Sequence, residues 1–138
     1  MRKYTIIILL GLMFSCTSKS PSGQSLDNDI RVMAQLKKTS SNDRMQTFMV
    51  RVFPDKKFIE HGKEKITESF LYHADSCFYL LNNNIKLYPD YVEPVANGIK
   101  GSYEFLIGFS NQDLSLKEYM LIYQDQIINK KKYILTIK

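Results

Sequence analysis

The chain has few of the residues that build covalent or metal-bound frameworks. Its 138 residues include two cysteines, two histidines and no tryptophan. So few histidines and cysteines, widely separated, do not supply the ligand spacing of a zinc site, and no Asp-x-Asp-x-Asp-Gly loop is present for calcium. Two cysteines are also too few for a disulfide framework. We therefore expect no metal and no cofactor.

Candidates for catalysis are equally scarce. His61 lies in a polar Glu-His-Gly-Lys segment that is typical of a loop. His73 is near Ser69 and Asp75 in sequence, but a working triad is assembled from separate elements, and no Gly-x-Ser-x-Gly elbow is present. Cys77 precedes an apolar run and is predicted to be a buried, inert thiol. The sequence therefore predicts a protein that is not an enzyme.

The N-terminal apolar run is too short to cross a bilayer, so the residues on either side of it decide its interpretation. Residues 6–14 are apolar, Arg2 and Lys3 precede them, and the small residue Ser15 follows directly before Cys16. A basic start, a short apolar core and a small residue at the cleavage point are typical of a secretory signal. We predict a signal peptide over residues 1–15.

The sequence Met13-Phe14-Ser15-Cys16 resembles the lipobox of bacterial lipoproteins, in the relaxed form found in Bacteroidota. The resemblance implies cleavage before Cys16, which would then carry a diacylglyceryl thioether and an N-acyl chain. Two or more chains are enough for stable anchoring, so the membrane is an expected partner. No aspartate follows Cys16 directly and no acidic residue precedes Asp27, which by resemblance implies the outer membrane and a periplasm-facing position.

The charge of the mature chain is modest. Loss of Arg2 and Lys3 lowers the basic count from 19 to 17 against 14 acidic residues, a net charge of about +3. The lysine clusters at residues 37–38 and 130–132 are typical of solvated turns. Nucleic acid is not an expected partner of an exported, lipid-anchored domain.

Two regions follow the signal. Residues 16–29 have almost no large apolar side chains and are predicted to be the lipidated cysteine and a flexible tether. Residues 30–138 have room for one domain with a single core.

Alternation of apolar and polar residues dominates this domain. Residues 30–36 and 45–53 are predicted to form an antiparallel hairpin, and three strands of a meander follow after residue 102. Pro94 excludes residues 91–94 from the interior of a sheet. Residues 63–81 fit either an amphipathic helix or two strands, and their aromatic content favours strands. The fold class is all-β: an immunoglobulin-like or transthyretin-like antiparallel sandwich of about seven to eight strands.

One aromatic and acidic segment is a candidate partner-binding surface. It contains Tyr88, Asp90, Tyr91 and Glu93. Tyrosines near a sandwich end suit protein recognition, because they give large contacts at low entropic cost. The alternative is that Tyr88 and Tyr91 cover the edge of the core.

These observations favour a non-catalytic binding or scaffold module with an envelope protein as partner. Anchor, length and fold class resemble the outer-membrane lipoprotein of type VI secretion systems, and residues 47–53 look like a sandwich strand. Two alternatives stay open. One is a lipoprotein that binds a small ligand or a cell-wall component in a concave aromatic pocket. The other is an immunity or inhibitor lipoprotein with a strongly charged face.

Overall fold

The alternating segments form two antiparallel sheets that pack face to face. The computed structural model describes residues 20–37, 45–110 and 118–138, and within these ranges there are nine strands. The large sheet has the order β1-β2-β3-β7-β6 and the small sheet the order β5-β4-β8-β9. The strands are β1 Ser22–Leu26, β2 Ile30–Leu36, β3 Met45–Pro54, β4 Phe78–Asn82, β5 Ile85–Leu87, β6 Tyr91–Val95, β7 Tyr103–Ser110, β8 Met120–Gln124 and β9 Lys132–Leu135. The predicted all-β sandwich is confirmed.

The core lies between the sheets and is rich in aromatic rings. Phe78 packs 5.2 Å from Tyr123 and 5.4 Å from Phe105, measured between ring centroids. Phe48 meets Phe109 edge-on at 6.0 Å. Tilted and edge-on contacts of this kind add to the free energy gained by burying the rings.

Residues 63–81 are divided between a helix and a strand. The part of the chain that the structure describes contains two α-helices, α1 Lys56–Glu60 and α2 Lys63–His73, and a 3₁₀ turn at Asp75–Cys77 leads into β4. The preference for strands is therefore wrong for residues 67–73 and correct from residue 78. Phe70 of α2 is buried and stacks 4.1 Å from the ring of Tyr103, and the hydroxyls of Thr67 and Tyr103 are 2.9 Å apart. These contacts anchor the helix on β7.

The C-terminal strands do not form the predicted meander. The β7 strand pairs with β3 and β6 in the large sheet, whereas β8 pairs with β4 and β9 in the small sheet. The hairpin of β2 and β3 is confirmed by their antiparallel register. Pro94 lies in β6, which is at an edge of the large sheet, as its missing N–H predicts.

Residues 16–19 of the predicted tether lie outside the described residues, and the prediction is wrong for Ser22–Leu26, because this strand belongs to the sandwich. Ser22–Leu26 pairs with β2 throughout. On its other side the N–H of Ser22 donates to the carbonyl of Lys138 at 3.0 Å, and the N–H of Lys138 donates to the carbonyl of Ser22 at 3.2 Å. Backbone pairing holds this strand without large apolar side chains, so the absence of such residues did not mean that the segment was flexible.

Gly23 permits this double pairing. A Cβ built at Gly23 would lie 2.4 Å from the carbonyl oxygen of Thr136, which is too close for any real contact. We expect Gly23→Ala to lower the free energy of unfolding by about 1–3 kcal/mol, because the C-terminal segment must move away from β1. Urea denaturation measures this, with Ser25→Ala in the same strand as the control. Equal stability of the two variants would contradict the close approach.

Candidate functional site

The four predicted surface residues lie in two places. Tyr88 follows β5 and is exposed, and its ring is 5.8 Å from that of Tyr79 in the small sheet. Asp90, Tyr91 and Glu93 lie at the start of β6, on the large sheet. The structure therefore does not gather the four side chains into one patch, and their part in partner binding stays a prediction.

Asp90 and Tyr91 connect β6 to its neighbours. The carboxylate of Asp90 accepts hydrogen bonds from the backbone N–H of Ser110 at 2.6 Å and from its hydroxyl at 2.7 Å, and these bonds lower the pKa of Asp90. The ring of Tyr91 lies over Gly108, where a Cβ would be 2.1 Å from the ring, and its hydroxyl is 3.3 Å from that of Thr47. Glu93 is exposed.

The outer face of the large sheet brings Glu93 together with residues that are distant in sequence. Side chains directly opposite one another in a sheet point to the same face. The strand register therefore places residues of all five strands in two neighbouring rows, which are Gln24–Met33–Arg51–Glu104–Val95 and Ser22–Gln35–Met49–Leu106–Glu93. This face combines thioether, amide, guanidinium and carboxylate groups.

A cavity of about 430 Å³ lies over β1, β2 and β3. Its volume is within the usual range of small-molecule sites. No aromatic ring is among the described residues that line it, which are Ser22, Gly23, Gln24, Met33, Ala34, Gln35, Met49 and Arg51. Two methionines in such a lining give an adaptable apolar floor.

An ion pair fixes the arginine beside this cavity. The Nε of Arg51 donates to the Oε2 of Glu104, and this bond raises the pKa of Arg51. The glutamate side chain is 6% exposed and the arginine side chain 47% exposed. A buried carboxylate thus holds an accessible guanidinium in place, and that group can form several directed hydrogen bonds.

A smaller cavity of about 190 Å³ lies between α2 and β6. Its lining includes aromatic rings, but its volume is below the usual range of ligand sites. The described residues around it are Phe70, Leu71, Tyr72, Ala74, Asp75, Val92, Pro94 and Phe105.

A charged cluster joins the turn after β1 to the region before β9. The Nζ of Lys131 is 3.1 Å from Asp27 and 2.9 Å from Asp29, and the Nζ of Lys57 is 2.7 Å from Asp29. Burial raises the pKa of Asp27, but hydrogen bonds outweigh it and bring the value to about 2. They come from the backbone N–H groups of Ile30 and Asp29 and from the side chains of Lys131 and Tyr133.

This cluster predicts an acid-sensitive contribution to stability. The folded chain lowers the pKa of Asp27 from its ordinary 3.8 to about 2, so the stabilisation is complete above about pH 4 and is lost as the pH falls toward 2. We expect Asp27→Asn to melt at a lower temperature than the natural protein at pH 6, and the difference to shrink by pH 2. Thermal melts across this range measure it, and a constant difference would contradict the assignment.

The candidate catalytic residues have structural contacts. The Nδ1 of His61 is 3.0 Å from the carbonyl oxygen of Lys57. Cys77 is buried, and burial raises the pKa of its thiol to about 12. Within the described ranges the side chain of His73 forms no hydrogen bond with the side chain of Ser69 or of Asp75.

Residues 20–37, 45–110 and 118–138 contain neither a cluster of metal ligands nor a helix that could span a membrane. No group of three histidine, cysteine, aspartate or glutamate side chains is placed to hold a metal ion. Neither α1 nor α2 has the length and the apolar character to cross a bilayer. Cys16 lies outside these ranges.

Comparison with protein-family models found no matching model, and comparisons with curated proteins and with solved structures found no match. Met33, Met49 and Arg51 are not among the site residues predicted from the sequence, although all three fall on the outward side of predicted strands. Their position there was the signal, because methionine on the solvent side of a strand exposes apolar surface.

Proposed function

We propose that this protein is a lipoprotein anchored to the outer membrane through Cys16, facing the periplasm, and that its sandwich is a non-catalytic binding module. Its partner is an envelope protein. The binding surface is the outer face of the large sheet around Met33, Met49 and Arg51.

The observation that carries the proposal is the mixture of groups on this face. Methionine and arginine are enriched in protein interfaces, where methionine adapts its shape and arginine gives directed hydrogen bonds. Here Arg51 is held by Glu104, so less side-chain entropy is lost when a partner binds. Exposed Glu93 and Gln35 supply a polar rim.

The proposed anchor keeps this surface close to the membrane. A lipidated domain is confined to a thin layer next to the membrane, which raises its effective concentration toward other envelope proteins. The finer proposal is that the partner belongs to an envelope-spanning secretion complex of the type VI kind. A lipobox-like signal, a chain of this length and a single β-sandwich support it.

The cavity of about 430 Å³ favours a second candidate function, the binding of a small ligand or a cell-wall component. Because the described lining contains thioether, amide and guanidinium groups, such a ligand would be held by apolar contact and hydrogen bonds. The described lining offers no aromatic ring on which such a ligand could stack.

Lipidation can be tested with the chain's own matched control. We expect Cys16→Ser to abolish labelling by radioactive palmitate and to move the protein out of the membrane fraction, because the thioether and the N-acyl chain are both lost. Cys77→Ser makes the same chemical change at a buried position and should keep both properties. A Cys16→Ser variant that stays fully membrane-bound would overturn the anchor.

The binding face can be tested by site-specific crosslinking in intact cells. A photo-crosslinking amino acid at Met33 should capture an envelope protein, and the same group at Ile134, which is exposed on the small sheet, should not. Met33→Asp should then reduce recovery of that partner, with Ile134→Asp as the control. Capture from position 134 alone would place the interface on the other sheet.

A further inference from the structure

The chain enters the sandwich at one identifiable end. The carbonyl of Pro21 accepts a hydrogen bond from the N–H of Leu36 at 2.8 Å, and Ser22 pairs with Lys138. The chain is therefore docked from Pro21 onward. We call the end that contains Pro21, Lys37 and Lys138 the entry end.

The strand directions assign other residues to the entry end. Both β4 and β9 are antiparallel to β8, so they run in the same direction. Leu81 pairs with Met120 and Leu121 pairs with Leu135, which places the end of β4 level with the last residues of the chain. The turn after β4 and the exposed Ile85 that follows it therefore lie at the entry end.

The opposite end carries the helices and the charged cluster. The β3 strand runs away from the entry end and leads at Pro54 into α1. A Cβ at Gly101 would be 2.9 Å from the side chain of Ile59 in α1, so the turn that contains Ile99 packs at this end too. The ten residues of β3 span roughly 30 Å.

The stem between the lipid and the sandwich is shorter than the sandwich itself. Only residues 17–20 separate Cys16 from Pro21. Five fully extended steps reach at most about 18 Å. The entry end consequently stays near the acylated cysteine, and the opposite end can lie up to about 30 Å further away.

The entry end also has side chains that suit a lipid surface. Lys37 and Lys138 are exposed on either side of the point where the stem enters. Ammonium groups are attracted to anionic headgroups, and an exposed apolar side chain such as Ile85 can enter the interfacial layer. Asp90 lies at this end as well, but its carboxylate is held by Ser110.

We propose that the entry end of the sandwich, with Lys37, Lys138 and Ile85, lies against the headgroups of the membrane and turns α1 and the charged cluster away from it. The proposal rests on lipidation of Cys16. It adds a fixed orientation of the sandwich relative to the membrane. In this orientation the outer face of the large sheet is roughly perpendicular to the membrane and accessible to a partner from the side.

The absence of native tryptophan makes this orientation measurable. Ile85→Trp and Ile99→Trp each place one tryptophan at an exposed isoleucine, which is 68% exposed at position 85 and 54% exposed at position 99. The lipidated full-length variants are reconstituted into vesicles of phosphatidylethanolamine and phosphatidylglycerol with a trace of dansyl-labelled phosphatidylethanolamine. We expect energy transfer to dansyl to be several-fold greater from position 85.

Three results would overturn the orientation, provided that the protein floats with the vesicles. They are equal transfer from both positions, greater transfer from position 99, and negligible transfer from both. Lys37→Trp and Lys100→Trp form a second matched pair and decide the question if either isoleucine variant unfolds. Failure of the lipidated protein to float would instead overturn the anchor, and flotation is read separately from transfer.

Discussion

Replacing Asp125 by alanine is expected to lower the free energy of unfolding by about 3–5 kcal/mol, because this one buried carboxylate accepts hydrogen bonds from four donors. Its Oδ2 accepts from the backbone N–H groups of Ile128 at 2.8 Å, Asn129 at 2.6 Å and Lys130 at 3.0 Å, and its Oδ1 accepts from the hydroxyl of Tyr123 at 2.8 Å. Removing the carboxylate takes the acceptor from all four groups.

Urea denaturation of Asp125→Ala measures this loss. The free energy of unfolding of Asp125→Asn should lie between those of Asp125→Ala and the natural protein. Asp75→Ala is the matched control, because that carboxylate is exposed and accepts one local hydrogen bond from the N–H of Ser76. If the two alanine variants have the same stability, the loop before β9 does not depend on Asp125.

Replacing Phe78 by alanine is expected to cost about 3–5 kcal/mol, because it opens a cavity in the centre of the core. The ring is fully buried and packs against Tyr123 in its own sheet and Phe105 in the opposite one. The same substitution removes a contact within the small sheet and one between the two sheets, so loosening of the whole domain is the expected result.

The midpoint of urea denaturation should therefore fall with little change in the slope. Phe78→Leu should lose less stability, since most of the side-chain volume is kept. Tyr88→Ala is the control, because it removes an exposed ring of similar size. A Phe78→Ala variant that matches Tyr88→Ala would show that the two sheets do not depend on this ring for their packing.

The sequence pattern was sufficient where a strand has one buried and one solvent-facing side. In β2 and β3 every second residue faces the core, so alternation identified both strands and their pairing. It also placed Pro94 at a sheet edge, because proline lacks the donor that an interior strand requires.

The pattern failed where long-range contacts decide the conformation. Ser22–Leu26 has no apolar face of its own, and it is a strand because β2 and the C-terminal segment both pair with its backbone. In α2, Phe70 stacks on Tyr103, which is more than thirty residues away along the chain. Neither contact leaves a local signal.

In the candidate site, too, closeness in sequence did not predict which side chains lie together. Tyr88, Asp90, Tyr91 and Glu93 are neighbours in sequence, yet Tyr88 packs beside the small sheet, and Asp90 and Tyr91 fasten β6 to β7. The cavity over β1 to β3 gathers side chains of three strands, and only the register between strands sets them side by side.

By itself, the sequence determined the all-β class, the hairpin of β2 and β3 and the edge position of Pro94, because periodicity and the missing proline donor act within a few residues. It also carries the lipobox-like signal on which the proposed anchor rests. Only the tertiary structure decided that the sandwich begins at Ser22, that α2 is a helix and that Arg51 meets Glu104, because each depends on pairing between distant segments.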